Sequence, residues 1–498
     1  MPTFNKSEKL PKMLSAPIGP VVSPSEEGDP ASKIAILGEA PSIHEMRLRR
    51  PLVGESGTVF NQLCHNAGLL RRELYIVNTF PMQVDKNESR TKMWERGHSD
   101  RVLWEKKGGF TDLGWKYASQ ALVKIRKSQA NVIVALGGTA ASALLQHVKS
   151  IQKWRGSVCL SDDRTGLKRK VIPTYHPAAL VWGSPYVWRY DIIADLRKAK
   201  KFSKVRAFDL IEPTLIIRPK FKDAMEYMRE CRRAGLFNTD IETYRPWVSC
   251  FSLAYKTDEA MCIPFVDGNG QPYWSFDDEV AIQREYGKLM GDPKITKVNQ
   301  NILFDAWCLY RSNHIITRGR MEDPMTMQGI LHPDFPKKLE YITSIFTDMP
   351  YYKDDKKLWK NFWRDIDVFW RYNAKDSPAS LMCYYALNEE IDEKGYRQQY
   401  EDYLADFPSL YYMMVRGVKV DQAKLEETRK HVEKLQEGKL KEAVDQLGSD
   451  RAVASVADVT NEQAVHDAIE SGYQRFGRLD VLFSNAGISG TVRPIVDY

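Results

Sequence analysis

Asn238-Thr239-Asp240-Ile241-Glu242-Thr243 ends one apolar run and leads into another at Phe251-Ser252-Leu253. In a strand, residues two apart project to the same face, so Asp240 and Glu242 present both carboxylates together. Converging carboxylates share a proton, pair with a basic side chain, or bind a hard, oxygen-seeking cation such as Mg²⁺ or Mn²⁺. Alone, the triplet also fits an ordinary solvated strand face. Two downstream stretches narrow the choice. Val298-Asn299-Gln300-Asn301-Ile302-Leu303-Phe304-Asp305 brings a third carboxylate after an Asn, at the start of an apolar run through Ala306, Trp307 and Leu309. Tyr372-Asn373-Ala374-Lys375-Asp376 brings a fourth, with a Tyr one helical turn earlier on the same face. Four carboxylates and a phenol from three segments suit phosphodiester hydrolysis assisted by two metal ions.

Asp-Ile-Glu-Thr, Asn-x-x-Phe-Asp and Tyr-x-x-x-Asp, in this order, resemble the three motifs of the 3′→5′ proofreading exonuclease domain of family A DNA polymerases. The resemblance covers roughly residues 210–395 and implies a ribonuclease H-like fold. It implies that Asp240, Glu242 and Asp376 hold the metal that activates water, and that Asp240 and Asp305 hold a second, both ions being Mg²⁺ or Mn²⁺. Tyr372 would orient the water, Asn301 would support the site or the strand, and Thr243 would contact substrate.

The chain has 498 residues, enough for two to four domains, and 43% hydrophobic content, enough to give each a core. A net charge of +7 is mild at this length, but basic clusters recur at Arg47–Arg50, Arg71-Arg72, Lys168-Arg169-Lys170 and Arg197–Arg206. With the many Tyr and Trp they favour a phosphate-bearing partner. Seven scattered cysteines lack Cys-x-x-Cys or zinc spacing and read as reduced thiols. Met1–Pro30 is polar and reads as a disordered tail without a signal peptide. No apolar stretch reaches the roughly 20 residues that span a bilayer. The expectation is a soluble chain with no membrane partner, in the cytoplasm of a bacterial or phage-infected cell.

Lys33–Gly38, Leu74–Asn78, Ala130–Leu136 and Val171–Tyr175 read as buried strands, with helical segments around Val59–Ala67 and through Leu145, and an insertion from Gln83 to Gly109. Such alternation predicts an α/β domain whose site lies at the strand ends, near Glu39, Asn78 and His176. A carboxylate that positions water, an amide that reads a Watson–Crick edge and an imidazole that stabilises a departing anion suit hydrolysis of the bond to a base.

Gly38-Glu39-Ala40-Pro41, Arg50–Gly57, Tyr75–Asn78, Ala135-Leu136-Gly137 and Tyr175–Leu180 resemble the uracil-DNA glycosylase superfamily over roughly residues 31–195, most of all its iron–sulphur branch. Three departures matter. Only Cys64 and Cys159 stand in the matching region, so no iron–sulphur cluster is expected. The usual Gly after Ala-Pro is Ser42, and the Phe that would stack on a flipped base is Leu52, which has no π-face. Two readings follow: a uracil-excising domain, or one that only binds DNA or uracil.

Arg197–Arg206 reads as a basic linker, Lys222–Arg233 as an amphipathic helix, Ser252–Phe265 as continued strand and Asp267-Gly268-Asn269-Gly270 as a hairpin turn. Tyr396–Asp421 resembles the entry to a family A polymerase domain, and Gln422–Gly448 reads as a docking helix. No carboxylate motif for nucleotide addition follows, so no polymerase activity is expected. From Ser449 the chain resembles an internal piece of a short-chain dehydrogenase, with Ser484 replacing the first Asn of Asn-Asn-Ala-Gly. The Gly-rich loop and the catalytic Ser, Tyr and Lys of that family are missing, so NAD(P) binding is not expected, and the piece reads as a fusion or assembly artefact.

The expected architecture is α/β and multidomain: a tail at 1–30, a glycosylase-like α/β/α domain at 31–200, an exonuclease domain at 201–395, a truncated polymerase start at 396–448 and a partial Rossmann-like tail at 449–498. The leading functional reading is a metal-dependent 3′→5′ exonuclease acting on single-stranded, uracil-containing or ordinary DNA 3′ ends, with a polymerase or replisome component as partner. The alternatives are a uracil-excising repair enzyme with a secondary nuclease, and a non-catalytic DNA-binding replisome scaffold.

Overall fold

Four runs, Ile34–Gly38 (β3), Leu74–Asn78 (β4), Val132–Leu136 (β5) and Lys170–Thr174 (β7), are almost wholly apolar and buried along their whole length. A strand buried on both faces must be covered on both, which is the condition of a parallel sheet between helical layers. In the computed structural model, which describes residues 21–84, 109–145, 148, 150–207, 212–244, 247–353, 365–448, 450–455 and 461–478, these strands are parallel neighbours in the order β4-β3-β5-β7. Helix Asp112–Lys127 and helix Gly137–Leu144 close one face; helix Glu55–Asn66 and helix Trp188–Phe202 close the other. The insertion expected at Gln83–Gly109 lies almost entirely outside the described residues.

Two expectations change here. The tail predicted to Pro30 contains β1 (Val21–Ser23) and β2 (Glu26–Gly28), and β2 pairs with β4 at the sheet edge. Buried Glu27 binds both Arg50 at 2.8 Å and Arg71 at 2.6 Å. Two of the basic clusters thereby turn part of their charge inward. A third does the same: Arg169 and Lys170 are both 2% exposed and donate to main-chain carbonyls, among them Ser128 O and Ala207 O. The supposed linker from Arg197 begins as the last turns of helix Trp188–Phe202, anchored by Leu196 and Ala199. On the far edge, β6 (Cys159–Leu160) runs antiparallel to β7.

The second sheet is mixed. Strands β9 (Leu236–Tyr244), β10 (Trp247–Lys256) and β11 (Glu259–Pro264) form an antiparallel meander; β12 (Thr296–Val298) and β13 (Met321–Glu322) extend it in parallel from β9, and β8 (Thr214–Ile216) lies parallel to β11. Numbered from β9, the five principal strands run 3-2-1-4-5 with the second reversed, the topology that a ribonuclease H-like fold requires. Ser252–Phe265 is therefore two strands rather than one. Helix Phe221–Ala234 and helix Phe276–Gly291 cover one face. The 28-residue helix Ile366–Glu393 crosses the other, burying Phe369, Trp370, Leu381 and Leu387.

Helix Arg397–Arg416, expected to open a separate segment, packs Phe407 and Tyr411 against Ile302 and Ala306, and Tyr400 donates to Glu322 at 2.6 Å. One compact unit consequently runs to Arg416, and a second spans Gly417–Tyr498. In the second unit, helix Gln422–Leu447 buries no residue and leaves Leu425, Val432 and Leu435 exposed; helix Glu462–Phe476 follows, capped by Asn461. Ser484, singled out in the dehydrogenase-like resemblance, lies outside the described residues. No helix of the described residues is long and apolar enough to cross a membrane.

Candidate functional site

β9 is central in its sheet, so its two faces lie in different surroundings. Phe237 and Ile241 enter one core, where Thr239 Oγ1 lies 2.7 Å from the Tyr286 hydroxyl. The alternate residues Asn238, Asp240 and Glu242 project the other way. There Asn373, on the long helix, donates its amide to Asp240 Oδ2 at 2.9 Å, and Ser252 of β10 donates to Asn373 O at 2.9 Å. This fixes the helix against the strand. Carboxylate oxygens of Asp240, Glu242 and Asp376 then lie within 4.8 Å of one another.

Asp305 arrives differently. Asn301, exposed and left-handed at φ +61°, donates its N–H to Asp323 Oδ1 at 2.9 Å and starts helix Ile302–Asn313. That turn brings Asp305 Oδ1 to the N–H of Ile241 at 3.1 Å, between the two strand carboxylates. Asp305 is thus tied to β9 but stands outside the group of three. Thr243 is exposed near the strand end.

Burial is the largest influence on Asp240 and pushes it well above the usual carboxylate range; the charges of Asp376, Asp305 and Glu242 push it further. Asp305 is raised for the same first reason, against the N–H of Ile241. The group therefore demands positive charge. Part of it comes from a residue the sequence reading missed: Lys353 donates to Asp376 Oδ1 and Oδ2, both at 2.6 Å, and to the Tyr372 hydroxyl at 3.2 Å. Tyr352 donates to Asp376 Oδ1 at 2.6 Å. Tyr372 is pushed upward, chiefly by burial, so its phenol keeps its proton at neutral pH. An all-carboxylate, cation-seeking donor set fits Mg²⁺ or Mn²⁺. No motif spacing announces Tyr352 and Lys353; they stand in a loop 24 and 23 residues before Asp376.

In the first sheet, strand order reverses between β3 and β5, and the crevice at such a reversal lies beyond the carboxyl ends of the strands. Glu39 follows β3 directly and is half-buried; Asn78 ends β4 opposite Gly38. A Cβ on Gly38 would meet Asn78 Oδ1 at 2.4 Å, so glycine leaves the amide the place it now holds. Gly137, at φ +83°, opens the helix after β5 and lies against His176, where a Cβ would stand 3.3 Å from that of His176. His176 Nδ1 accepts the Ala178 N–H at 3.2 Å, which assigns the ring proton to Nε2. Burial pushes its pKa down to about 4, so the ring is neutral at pH 7. Leu52, at φ +47°, is buried in the core that holds Phe60, and its carbonyl accepts Arg71 at 2.8 Å. Cys64 and Cys159 belong to the cores on opposite faces of the sheet, so they cannot ligate one cluster.

Residues 25–197 match the uracil DNA glycosylase superfamily, and residues 420–497 match the short chain dehydrogenase family. The second match begins before helix Gln422–Leu447, so that helix falls within the dehydrogenase-like stretch. The type-4 uracil-DNA glycosylase of Thermotoga maritima is 32% identical over 179 residues, 36% of this chain and 81% of that protein. Short-chain dehydrogenase reductase 3c of Arabidopsis thaliana is 42% identical over 52 residues, 10% of this chain and only 20% of that protein. Among solved structures, Escherichia coli RNase D, described as an exoribonuclease, aligns at 13% identity over 42% of this chain and 52% of that one, with a TM-score of 0.31.

Proposed function

Because the chain belongs to the uracil DNA glycosylase superfamily through residues 25–197, we propose that it processes DNA with two hydrolytic sites, a glycosylase-like one in the first sheet and a metal-dependent 3′→5′ exonuclease in the second. The observation that carries the nuclease reading is the convergence of Asp240, Glu242 and Asp376 within 4.8 Å. These three would hold one divalent cation; Asp240 and Asp305 would share a second. Such cations, when bound, lower the pKa of an attacking water and offset charge developing on phosphate oxygens. The protein's own part is orientation. Asn373 fixes Asp240, Tyr372 keeps a proton to donate toward the nucleophile, and Ile241 N–H holds Asp305.

In the first sheet, Glu39 would position water, Asn78 would read the base edge, and neutral His176 would donate from Nε2 to the departing anion. The fixed tautomer supports excision rather than binding alone, and Leu52, buried in the core beside Phe60, gives the base no stacking face. We read the pair of sites as the front portion of a family A polymerase system that trims 3′ ends. A labelled single strand, with and without one uracil, incubated with Mg²⁺ or EDTA, tests this. Shortening from the 3′ end with Mg²⁺ only is expected, together with abasic product in both conditions; a strand that stays intact throughout contradicts it.

A further inference from the structure

The loop that brings Lys353 to Asp376 does not belong to the nuclease sheet alone. Helix Leu339–Phe346 and the segment after it pack on the glycosylase-like layer, and the joint is polar and closed. Arg155, 1% exposed, binds Asp195 through Nη2 and Nε, the latter at 3.1 Å, and reaches Ser344 Oγ at 3.0 Å. Tyr341 donates to Asp191 at 2.6 Å. Lys198 donates to Gly156 O at 2.8 Å on its own side, and to Ser344 O and to Thr347 O, the latter at 2.7 Å, on the other. Trp154 meets the Tyr351 ring at 5.1 Å between centroids. The next two residues are Tyr352 and Lys353, which grip Asp376. A glycosylase-layer lysine thus holds the start of a seven-residue strap whose far end is an ammonium inside the carboxylate group.

We propose that the glycosylase-like layer sets the cation affinity of the nuclease centre through this strap: Lys198 and Trp154 hold Thr347–Lys353 so that the Lys353 ammonium occupies Asp376 until a divalent cation replaces it. Lys198 is on this account a positioning residue acting through Lys353. The chemistry is a competition between cations for one carboxylate. Both Asp376 oxygens are engaged by Nζ at 2.6 Å, so a dication must displace an ion pair before it can use them. A strap freed at Thr347 would let Lys353 leave, and the dication would then bind more tightly. The proposal rests on the nuclease reading of the carboxylate group, and the test separates the two.

The test is calorimetric titration of the full chain with Mn²⁺ for wild type, Lys353→Met, Lys198→Met, the double variant and Lys198→Arg. Lys353→Met and Lys198→Met should each tighten Mn²⁺ binding about tenfold, the order expected for removing one opposite charge from a carboxylate. The double variant should gain nothing beyond Lys353→Met, since contacts acting as one unit do not add. Lys198→Arg should restore wild-type affinity. If Lys198→Met fails to fold, Trp154→Leu, which loosens the same strap at Tyr351, stands in for it. Wild-type Mn²⁺ affinity in Lys198→Met, or a double variant in which the two effects multiply, overturns the proposal. Shifts as expected without any 3′ trimming would leave the strap standing and remove the nuclease reading; trimming with a Lys198-independent affinity would do the reverse. No Mn²⁺ heat in any variant overturns both.

Discussion

Asp240 and Asp376 contribute to the same cluster, yet replacing them should move stability in opposite directions when metal is chelated. Asp376 is the carboxylate that Lys353 grips, with side chains 8% and 14% exposed. Asp376→Asn keeps an acceptor for Tyr352 but leaves a buried ammonium without its counter-ion, a loss worth about 3 kcal/mol. Asp240→Asn keeps the acceptor for Asn373 and removes one of the crowded negative charges that burial and its neighbours disfavour, so it should stabilise. The compact unit ends at Arg416. At roughly 2 cal/mol/K of unfolding entropy per residue, a unit of that size loses about 1 °C for each kcal/mol. Scanning calorimetry in EDTA should therefore find Asp376→Asn about 3 °C below wild type and Asp240→Asn above it. Lys353→Met should recover most of the Asp376→Asn loss, because the unpaired charge goes. Two variants that both lower Tm, or an Asp376→Asn loss that Lys353→Met deepens, would refute this view of the group.

Excision, if it follows the tautomer drawn for His176, should be flat from pH 8 to about 5, because a pKa pushed down to about 4 keeps the ring neutral there; an apparent pKa near 6.5 in the single-turnover rate would contradict it. The linked stability runs the same way: the unfolded ring protonates near pH 6.5 and the folded one only near 4, so His176 favours the fold above 6.5 and loses that contribution as pH falls toward 4. Gly38→Ala puts a methyl 2.4 Å from the present position of Asn78 Oδ1, so the amide must swing aside and abasic product should fall while 3′ trimming persists; undiminished excision would place base reading elsewhere. Dication binding should release protons, because burial raises Asp240 and Asp305 when the site is metal-free; identical binding heats in buffers of different ionisation enthalpy would contradict this. Tyr372→Phe should slow trimming by about 5- to 150-fold, the loss of one oriented hydrogen bond worth roughly 1–3 kcal/mol; an unchanged rate would remove Tyr372 from the site.

The buried strands and the carboxylate triplet were legible because each depends on local pattern: apolar runs for β3, β4 and β5, and period two for Asp240 and Glu242. The joint between layers was not. Arg155, Asp191 and Asp195 look like surface charges in a linear reading, and only the fold buries them together. Similarly, Glu26 and Glu27 disguised two edge strands as a polar tail, although Glu27 is what neutralises Arg50 and Arg71. One basic cluster lies inward for the same reason, since Arg169 and Lys170 bind main-chain carbonyls. Lys353 has no spacing to betray it as a lone lysine in a loop; its meaning comes from Asp376, 23 residues on.

The most direct test of the nuclease assignment is the rate at which the purified Asp240→Ala, Glu242→Ala double variant shortens a 5′-labelled single strand in Mg²⁺, beside wild type. Removal of two of the three converging carboxylates should abolish Mg²⁺-dependent trimming while leaving any uracil excision in EDTA at the wild-type rate. Trimming by the double variant at the wild-type rate would contradict the claim that this cluster is the nuclease centre.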